Sequence, residues 1–282
     1  MPRVLGFGDN VVDKYEHTKT MYPGGNCVNF AVFAKQFGAE ASAYMGIFGD
    51  DREAQHVIAT LSALGIETFK CKQLPGENGC ARVTLIDGER VFLGSNAGGI
   101  RHEIPFILDH FDLEYIRTFD LVHSGNYSYT ESELHKIKAI GVPISFDFSD
   151  DSPPEYVAAL APLVDYAFLS LGDLGNAILR QHMQRVLGYG CRLAVATRGS
   201  KGLVAYNGNR FYYQAAIHVE PVDTMGAGDS AIAAFLVSYI TAKKSSNTDE
   251  AALLPECLHK AAHFAANTCL VEGAFGYGKS YL

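Results

Sequence analysis

The sequence predicts an α/β fold, a three-layer α/β/α arrangement around a mainly parallel sheet, with a small antiparallel sheet as a lid. Three observations predict it. Short apolar, β-branched runs alternate with helix-period segments along most of the chain, the pattern of parallel strands covered by helices on both faces. Residues 67–100 break that pattern with closely spaced short strands. The chain has 282 residues, 48% hydrophobic and 19% charged, enough for one large core.

Strands of the main sheet are expected at Val4–Gly8, Ala43–Phe48, Leu121–Ser124, Ile144–Phe148, Tyr166–Ser170 and Leu193–Thr197. Helices are expected near 26–37, 52–64, 131–140, 173–188, 227–242 and 250–271. The polar stretch 243–250 reads as a surface loop. Within 67–100, TFKCK, CARVTLI and RVFLG are separated by turn residues such as Pro75-Gly76 and Asp87-Gly88. Together with Lys14–Met21 they are expected to build the lid; an excursion of the main sheet is the alternative. The expected organisation is one domain, 1–282, with a lid from about 14–22 and 67–100.

Composition narrows the function classes. The formal net charge is −8 and no basic run is present, so nucleic acid is not an expected partner. No apolar run reaches the length of a membrane span. MPRVLGFGDNVVD lacks the basic and apolar regions of a signal peptide. Six cysteines form no C-x-x-C pair and no regular framework, which fits a reducing cytoplasm.

The most informative segment is VDTMGAGDSAIAAFLVSYI, 222–240. Ile232, Phe235, Leu236, Tyr239 and Ile240 repeat at helical spacing. Gly226 and Gly228 permit a sharp entry turn and leave the first amides open. Those amides and the helix dipole attract an anion, and the dipole is expected to keep Asp229 ionised. An anion cradle beside a carboxylate base suits phosphoryl transfer to a hydroxyl. A Gly-rich turn followed by an Asp cap has the same local chemistry, so this segment alone leaves both readings open.

The wider pattern resembles a known family. DTMGAGDS (223–230) is similar to the DTxGAGD signature of the ribokinase-like PfkB carbohydrate kinases. GDNVVD (8–13), YPGGNCVNFAVFAKQFG (22–38), GDD (49–51), GERVF (88–92) and TRGSKG (197–202) extend the resemblance over nearly the whole chain. It implies Asp229 as base and an anion hole from Gly226, Ala227 and Gly228. It implies sugar contacts from Asp13, Gly25 and Asn29, although a strand-end cap at Asp13 and a helix-start bond at Asn29 are the plain alternatives. Thr197, Gly199 and Gly202 would border ATP, Mg2+ would bridge its phosphates, and Asp223 with backbone near Gly273-Ala274 would hold a monovalent cation such as K+. Within the family, GDNxVD, GGNxVN, DFSD (147–150) and DTMGAGDS are most similar to fructoselysine 6-kinases. A glycated amino acid carries both signs of charge, and Asp9, Asp147, Arg82 and Arg90 are the candidates to meet it. Arg90 is equally readable as a solvated lid residue.

Some positions depart from the family. Asp147-Phe148-Ser149 stands for D-x-N, Ala231 for a common Phe, and Ser170-Leu171-Gly172-Asp173 for N-x-x-E. Ser170 and Asp173 are the phosphate-side candidates in its place. The segment after Asp13 is short, so closure is expected to be less complete or to need a second copy, and an exposed lid edge predicts a homodimer. The alternatives are another sugar kinase, such as a fructokinase or ribokinase-like enzyme, and a non-catalytic nucleotide- or sugar-binding regulator.

Other motifs are set aside. GAFGYGKS (273–280) matches the P-loop letters, but only Tyr281 and Leu282 follow, and no helix is expected there. Gly6-Phe7-Gly8 lacks the third glycine of a dinucleotide site, where Val11 stands. His259 and His263 share a helix face, with Lys260 where a zinc-protease motif has Glu. No G-x-S-x-G elbow surrounds Ser124, Ser149 or Ser170.

Overall fold

The computed structural model describes all residues except Asp87, Gly88, Asp151, Asp173, Ser246, Asn247 and Thr248, and leaves out the side chains of 85–90. The turn expected at Asp87-Gly88, the middle of the 243–250 loop, Asp173 and the Arg90 side chain therefore lie outside the described residues.

The first half of the chain runs β1 (Arg3–Gly8), β2 (Val11–Tyr15), β3 (Thr20–Gly24), α1 (Asn26–Phe37), β4 (Ala41–Phe48), α2 (Arg52–Ala63), β5 (Lys72–Gln73), β6 (Gly79–Ile86), β7 (Glu89–Ser95), α3 (Ile100–Glu103) and α4 (His110–Ile116). The second half runs β8 (Leu121–Gly125), α5 (Leu134–Ala139), β9 (Ile144–Asp147), α6 (Pro154–Leu160), β10 (Tyr166–Ser170), α7 (Asn176–Gly188), β11 (Leu193–Thr197), β12 (Leu203–Tyr206), β13 (Phe211–Gln214), α8 (Ala227–Lys244), α9 (Glu250–Thr268) and β14 (Lys279–Ser280).

Nine strands form the main sheet in the order β13-β12-β11-β10-β9-β8-β1-β4-β5. It is parallel from β11 to β5, and β12 and β13 add an antiparallel margin. Alternate side chains feed two cores. Val4, Tyr166, Phe168, Leu193 and Val195 face the layer that includes α1, α2, α8 and α9. Leu5, Phe7, Ala167, Leu169, Ala194 and Ala196 face the layer that includes α5, α6 and α7. The second sheet, β14-β3-β2-β6-β7, is antiparallel except at β2/β6.

One expectation changes. TFKCK does not join the small sheet: Lys72–Gln73 pairs in parallel with Ile47–Phe48 at the main sheet's edge. A two-residue edge strand carries too little alternation to reveal its partner. In the tail with P-loop letters, Lys279 and Ser280 form strand β14, registered on Met21 and Thr20. β12, β13 and the short helices α3, α4 and α6 were not expected. At 4 to 7 residues each, they span at most two helical turns or four strand positions, below the length at which periodicity decides.

The fold brings α1 onto the centre of the sheet. Gly6 makes this approach possible, since a Cβ there would stand 2.2 Å from the Cys27 carbonyl oxygen in the first turn of α1. Gly6→Ala must therefore displace the helix start, and overpacking of this kind costs about 2–3 kcal/mol. Urea unfolding of this variant should show a lower midpoint at unchanged slope; a wild-type midpoint would contradict the packing described.

Candidate active site

Several candidate side chains lie at carboxyl ends of the parallel strands, where ligands of open α/β sheets bind. Asp9 follows β1, Gly125 ends β8, Asp147 ends β9, Ser170 ends β10 and Thr197 ends β11. The N-termini of α1 and α8 converge on the same region.

The α8 start is built by Gly226 in the left-handed conformation, φ 73°. A Cβ at Gly226 would collide with Ala274, whereas one at Gly228 would meet nothing within 4 Å. Gly228 thus faces open space, as an anion cradle requires. Ala227 N–H donates to the Thr224 carbonyl over a long 3.3 Å, so the cradle rests chiefly on the amides that follow it, which lack helical partners.

Asp229 stands in the first turn of α8. Its Oδ2 accepts from Asn29 Nδ2 at 2.6 Å and its Oδ1 from Asn26 Nδ2 at 2.9 Å. The same Asn26 amide donates to Asp147 Oδ2 at 3.1 Å. Asn26 Oδ1 lies 3.0 Å from His123 Nε2, and His123 Nδ1 lies 2.7 Å from Ser145 Oγ. His123 is buried and stacked on Phe30 at 4.3 Å, and burial drives its imidazole down to about 3, so it is neutral.

The electrostatics overturn one expectation. The helix dipole was expected to keep Asp229 ionised. Burial instead pushes Asp229 up to about 7, with Asp147 and Asp9 adding repulsion and the Asn29 and Asn26 amides opposing it. Burial likewise raises Asp147 to about 6, opposed by the Ser149 amide. Desolvation of grouped carboxylates outweighs the half-charge of one helix end.

The other candidates are placed as follows. Asp9 accepts from the Asn26 and Cys27 amides at 2.8 and 3.2 Å and from Ser128 Oγ at 2.8 Å, so it anchors the α1 start. Gly25, φ 102°, allows that anchoring, because a Cβ there would meet Asp9 Oδ2 at 2.9 Å. Asp13 is 5% exposed, and its Oδ2 would lie 2.7 Å from a Cβ on Gly24. Asn29 Oδ1 is buried without a hydrogen-bond partner, an acceptor whose burial calls for a donor. Arg82 does not join Asp13. It is the register partner of Lys14, hence on the opposite face of the small sheet, and pairs with Glu16 at 2.7 Å. Asp223 accepts from the Met225 and Gly273 amides at 3.0 and 2.9 Å and from the Tyr15 hydroxyl. These bonds tie the loop, the tail and the small sheet together.

A cavity of about 950 Å³ extends from the α8 start along the strand ends. Ser170, Thr197, Gly199 and Gly202 line it together with Ala227 and Gly228. Gly202, φ 91°, could not carry a side chain, since its Cβ would lie 2.0 Å from Gln214 O. Ser149, Asp150, Ser170 and Thr197 supply oxygens on one side of it. Among the described residues no group of three or more His, Cys, Asp or Glu is arranged to hold a metal ion. His259 and His263 have their Nε2 atoms 3.2 Å apart on an exposed part of α9, with no third ligand among the described residues. No described helix is long and apolar enough to cross a membrane.

Sequence reasoning missed Asn26 and His123. The signal for Asn26 was the N-x-x-N spacing in Asn26–Asn29, which places two amides on one helix face. For His123 it was a polar residue inside the apolar strand LVHSG.

Comparison with known proteins agrees with this layout. Residues 3–276 match the profile of the pfkB family carbohydrate kinases. The chain is 39% identical over 280 residues to the fructosamine kinase FrlD of Bacillus subtilis, covering 99% of this chain and 95% of that one. It is 30% identical over 275 residues to the fructoselysine 6-kinase of Escherichia coli, covering 98% and 100%. Among solved structures, Arabidopsis thaliana ribokinase superposes with a TM-score of 0.81 at 21% identity over 98% of this chain and 95% of that one. Giardia lamblia ribokinase superposes with a TM-score of 0.83 at 16% identity, covering 99% and 97%.

The grouping of Asp147 and Asp229 can be read directly. With aspartate labelled at its side-chain carboxyl carbon, NMR should show one group titrating near 7 and one near 6. Both titrating at the ordinary value of about 4 would contradict the buried arrangement.

Proposed function

The chain belongs to the pfkB family of carbohydrate kinases, and from that premise we propose that it phosphorylates the 6-hydroxyl of fructoselysine or a near fructosamine, using ATP with Mg2+ and Asp229 as general base. The observation that carries the mechanism is Asp229 itself. It is a carboxylate held by two amides at a helix start whose amides face open space, with a proton affinity suited to neutral pH. The substrate class rests on the two relatives named for fructosamine and fructoselysine. A pair of carboxylates at the strand ends also suits a substrate that carries an amine.

The steps follow from the residues. ATP would occupy the long cavity, with its γ-phosphoryl group against the α8 start. The sugar would lie on the small-sheet side, where Asp13 and Asn29 Oδ1 offer acceptors to its hydroxyls. Mg2+ would neutralise phosphate charge when bound, and Ser149, Asp150, Ser170 and Thr197, which line the cavity, would offer oxygens to its waters. Asp229 takes the hydroxyl proton as the oxygen attacks in line, and the helix-start amides stabilise charge on the transferred group. The base must be deprotonated to act, so kcat/KM should rise through pH 7 and fall about tenfold per unit well below it.

The test is a phosphorylation screen over fructoselysine, fructose, ribose and nucleosides, with ADP release and the phosphorylated carbon as readouts. Fructoselysine should be turned over and phosphorylated at C6, and Asp229→Asn should lower kcat by about 10²–10⁴-fold. Wild-type kcat in Asp229→Asn would remove the base assignment. Turnover of fructose or ribose with none of fructoselysine would overturn the substrate. Sugar binding without ADP formation from any acceptor would favour a regulator.

A further inference from the structure

Asn26 has more contacts at the site than any sugar or nucleotide role requires. Its one side-chain amide touches three groups: Asp229 at 2.9 Å, Asp147 at 3.1 Å and His123 at 3.0 Å. Its backbone N–H is separately fixed by Asp9 Oδ2 at 2.8 Å. The chain also makes room for this side chain. Gly125 at the end of β8 would put a Cβ 2.8 Å from Asn26 Oδ1, so only glycine lets the amide lie there without displacement.

We propose that Asn26 is a positioning residue that binds Asp147 to Asp229 through one amide and makes Asp147 the charge partner of the reacting carboxylate. The proposal rests on the reading of Asp229 as base.

The two carboxylates set the orientation of the amide. Both amide hydrogens point at carboxylates, and a flipped amide would set its oxygen against them. In this orientation the amide oxygen accepts from His123 Nε2, which leaves Nδ1 to accept from Ser145 Oγ. The carboxylates thus select the Nε2–H tautomer of His123, which, neutral and stacked on Phe30, holds the amide oxygen from behind. Asn26 in turn holds the two carboxylates on either side of itself. Among the described residues, the groups that face Asp229 are Asn26 and Asn29 from α1, Asp147 from β9 and Asp9 after β1. The carboxylates raise its proton affinity, and the amides lower it.

Opposite signs make the proposal testable. In Asn26→Ala a donor to Asp229 is lost, so the acid limb of the kcat profile should move up by about one pH unit. The kcat at pH 7.5 should fall about 30-fold or more, with the sugar KM within about threefold. In Asp147→Asn a neighbouring charge is lost, so the limb should move down by about one unit. Assays use the full chain with ATP, Mg2+ and the best acceptor from the screen, and circular dichroism controls for folding. If Asn26→Ala does not fold, Asn26→Ser replaces it, because a hydroxyl cannot span both carboxylates. Limbs unmoved in both variants, or a raised KM at wild-type kcat in the Asn26 variant, would overturn the proposal. Asp229→Asn runs in parallel: if it keeps wild-type turnover, the base reading itself has failed, whatever Asn26 does.

Discussion

The site depends on a desolvation constraint. Three carboxylates, from Asp9, Asp147 and Asp229, gather at the carboxyl ends of the central strands; Asp9 is buried and Asp147 and Asp229 are half-buried. Buried charges of one sign are tolerated only where donors surround them. The α1 N-terminus supplies those donors: the amides of Asn26 and Cys27 for Asp9, and the side chains of Asn26 and Asn29 for Asp229 and Asp147. Gly6, Gly25 and Gly125 are the positions where a side chain would push this helix start or its amide away. The sheet, the helix and the three small residues thus serve one arrangement, a carboxylate that is held firmly yet binds a proton near neutrality.

The same constraint explains how the two ends of the site differ. The long cavity combines glycines and hydroxyls with larger apolar side chains such as Leu169, Leu174, Val186 and Ile217. On the other end, Asp13, Asn29 and Asp147 carry side-chain oxygens. Asp223 joins these ends mechanically. Its bonds to Met225, Gly273 and Tyr15 link the anion loop, the tail and the small sheet, so the small sheet cannot shift without reaching the α8 start.

Much of this was legible in the sequence. The alternation of apolar runs with helical periods marked six of the nine main-sheet strands and the long helices, because long periodic elements declare themselves. DTMGAGDS and GGNCVN located the site, because backbone turns and helix starts are local. What was not legible depends on distant pairing. Lys72–Gln73 belongs to the main sheet only through Ile47 and Phe48. Arg82 turns away from the site because its register partner is Lys14 rather than Asp13. The ionisation of Asp229 was misjudged from the dipole alone, since the desolvation of its carboxyl, and after it the nearness of Asp147 82 residues earlier in the chain, are properties of the fold. His123 carried no sequence signal for its contact with Asn26, which only the fold brings about.

The central claim is that Asp229 and the α8 start act together on one hydroxyl. A crystal structure with ADP, aluminium fluoride as the phosphoryl mimic and fructoselysine tests it most directly. The account predicts the fluoride at the Gly228–Asp229 amides and the C6 oxygen within about 3 Å of an Asp229 carboxylate oxygen. A C6 oxygen directed at another residue, with Asp229 still bound only to Asn26 and Asn29, would contradict it.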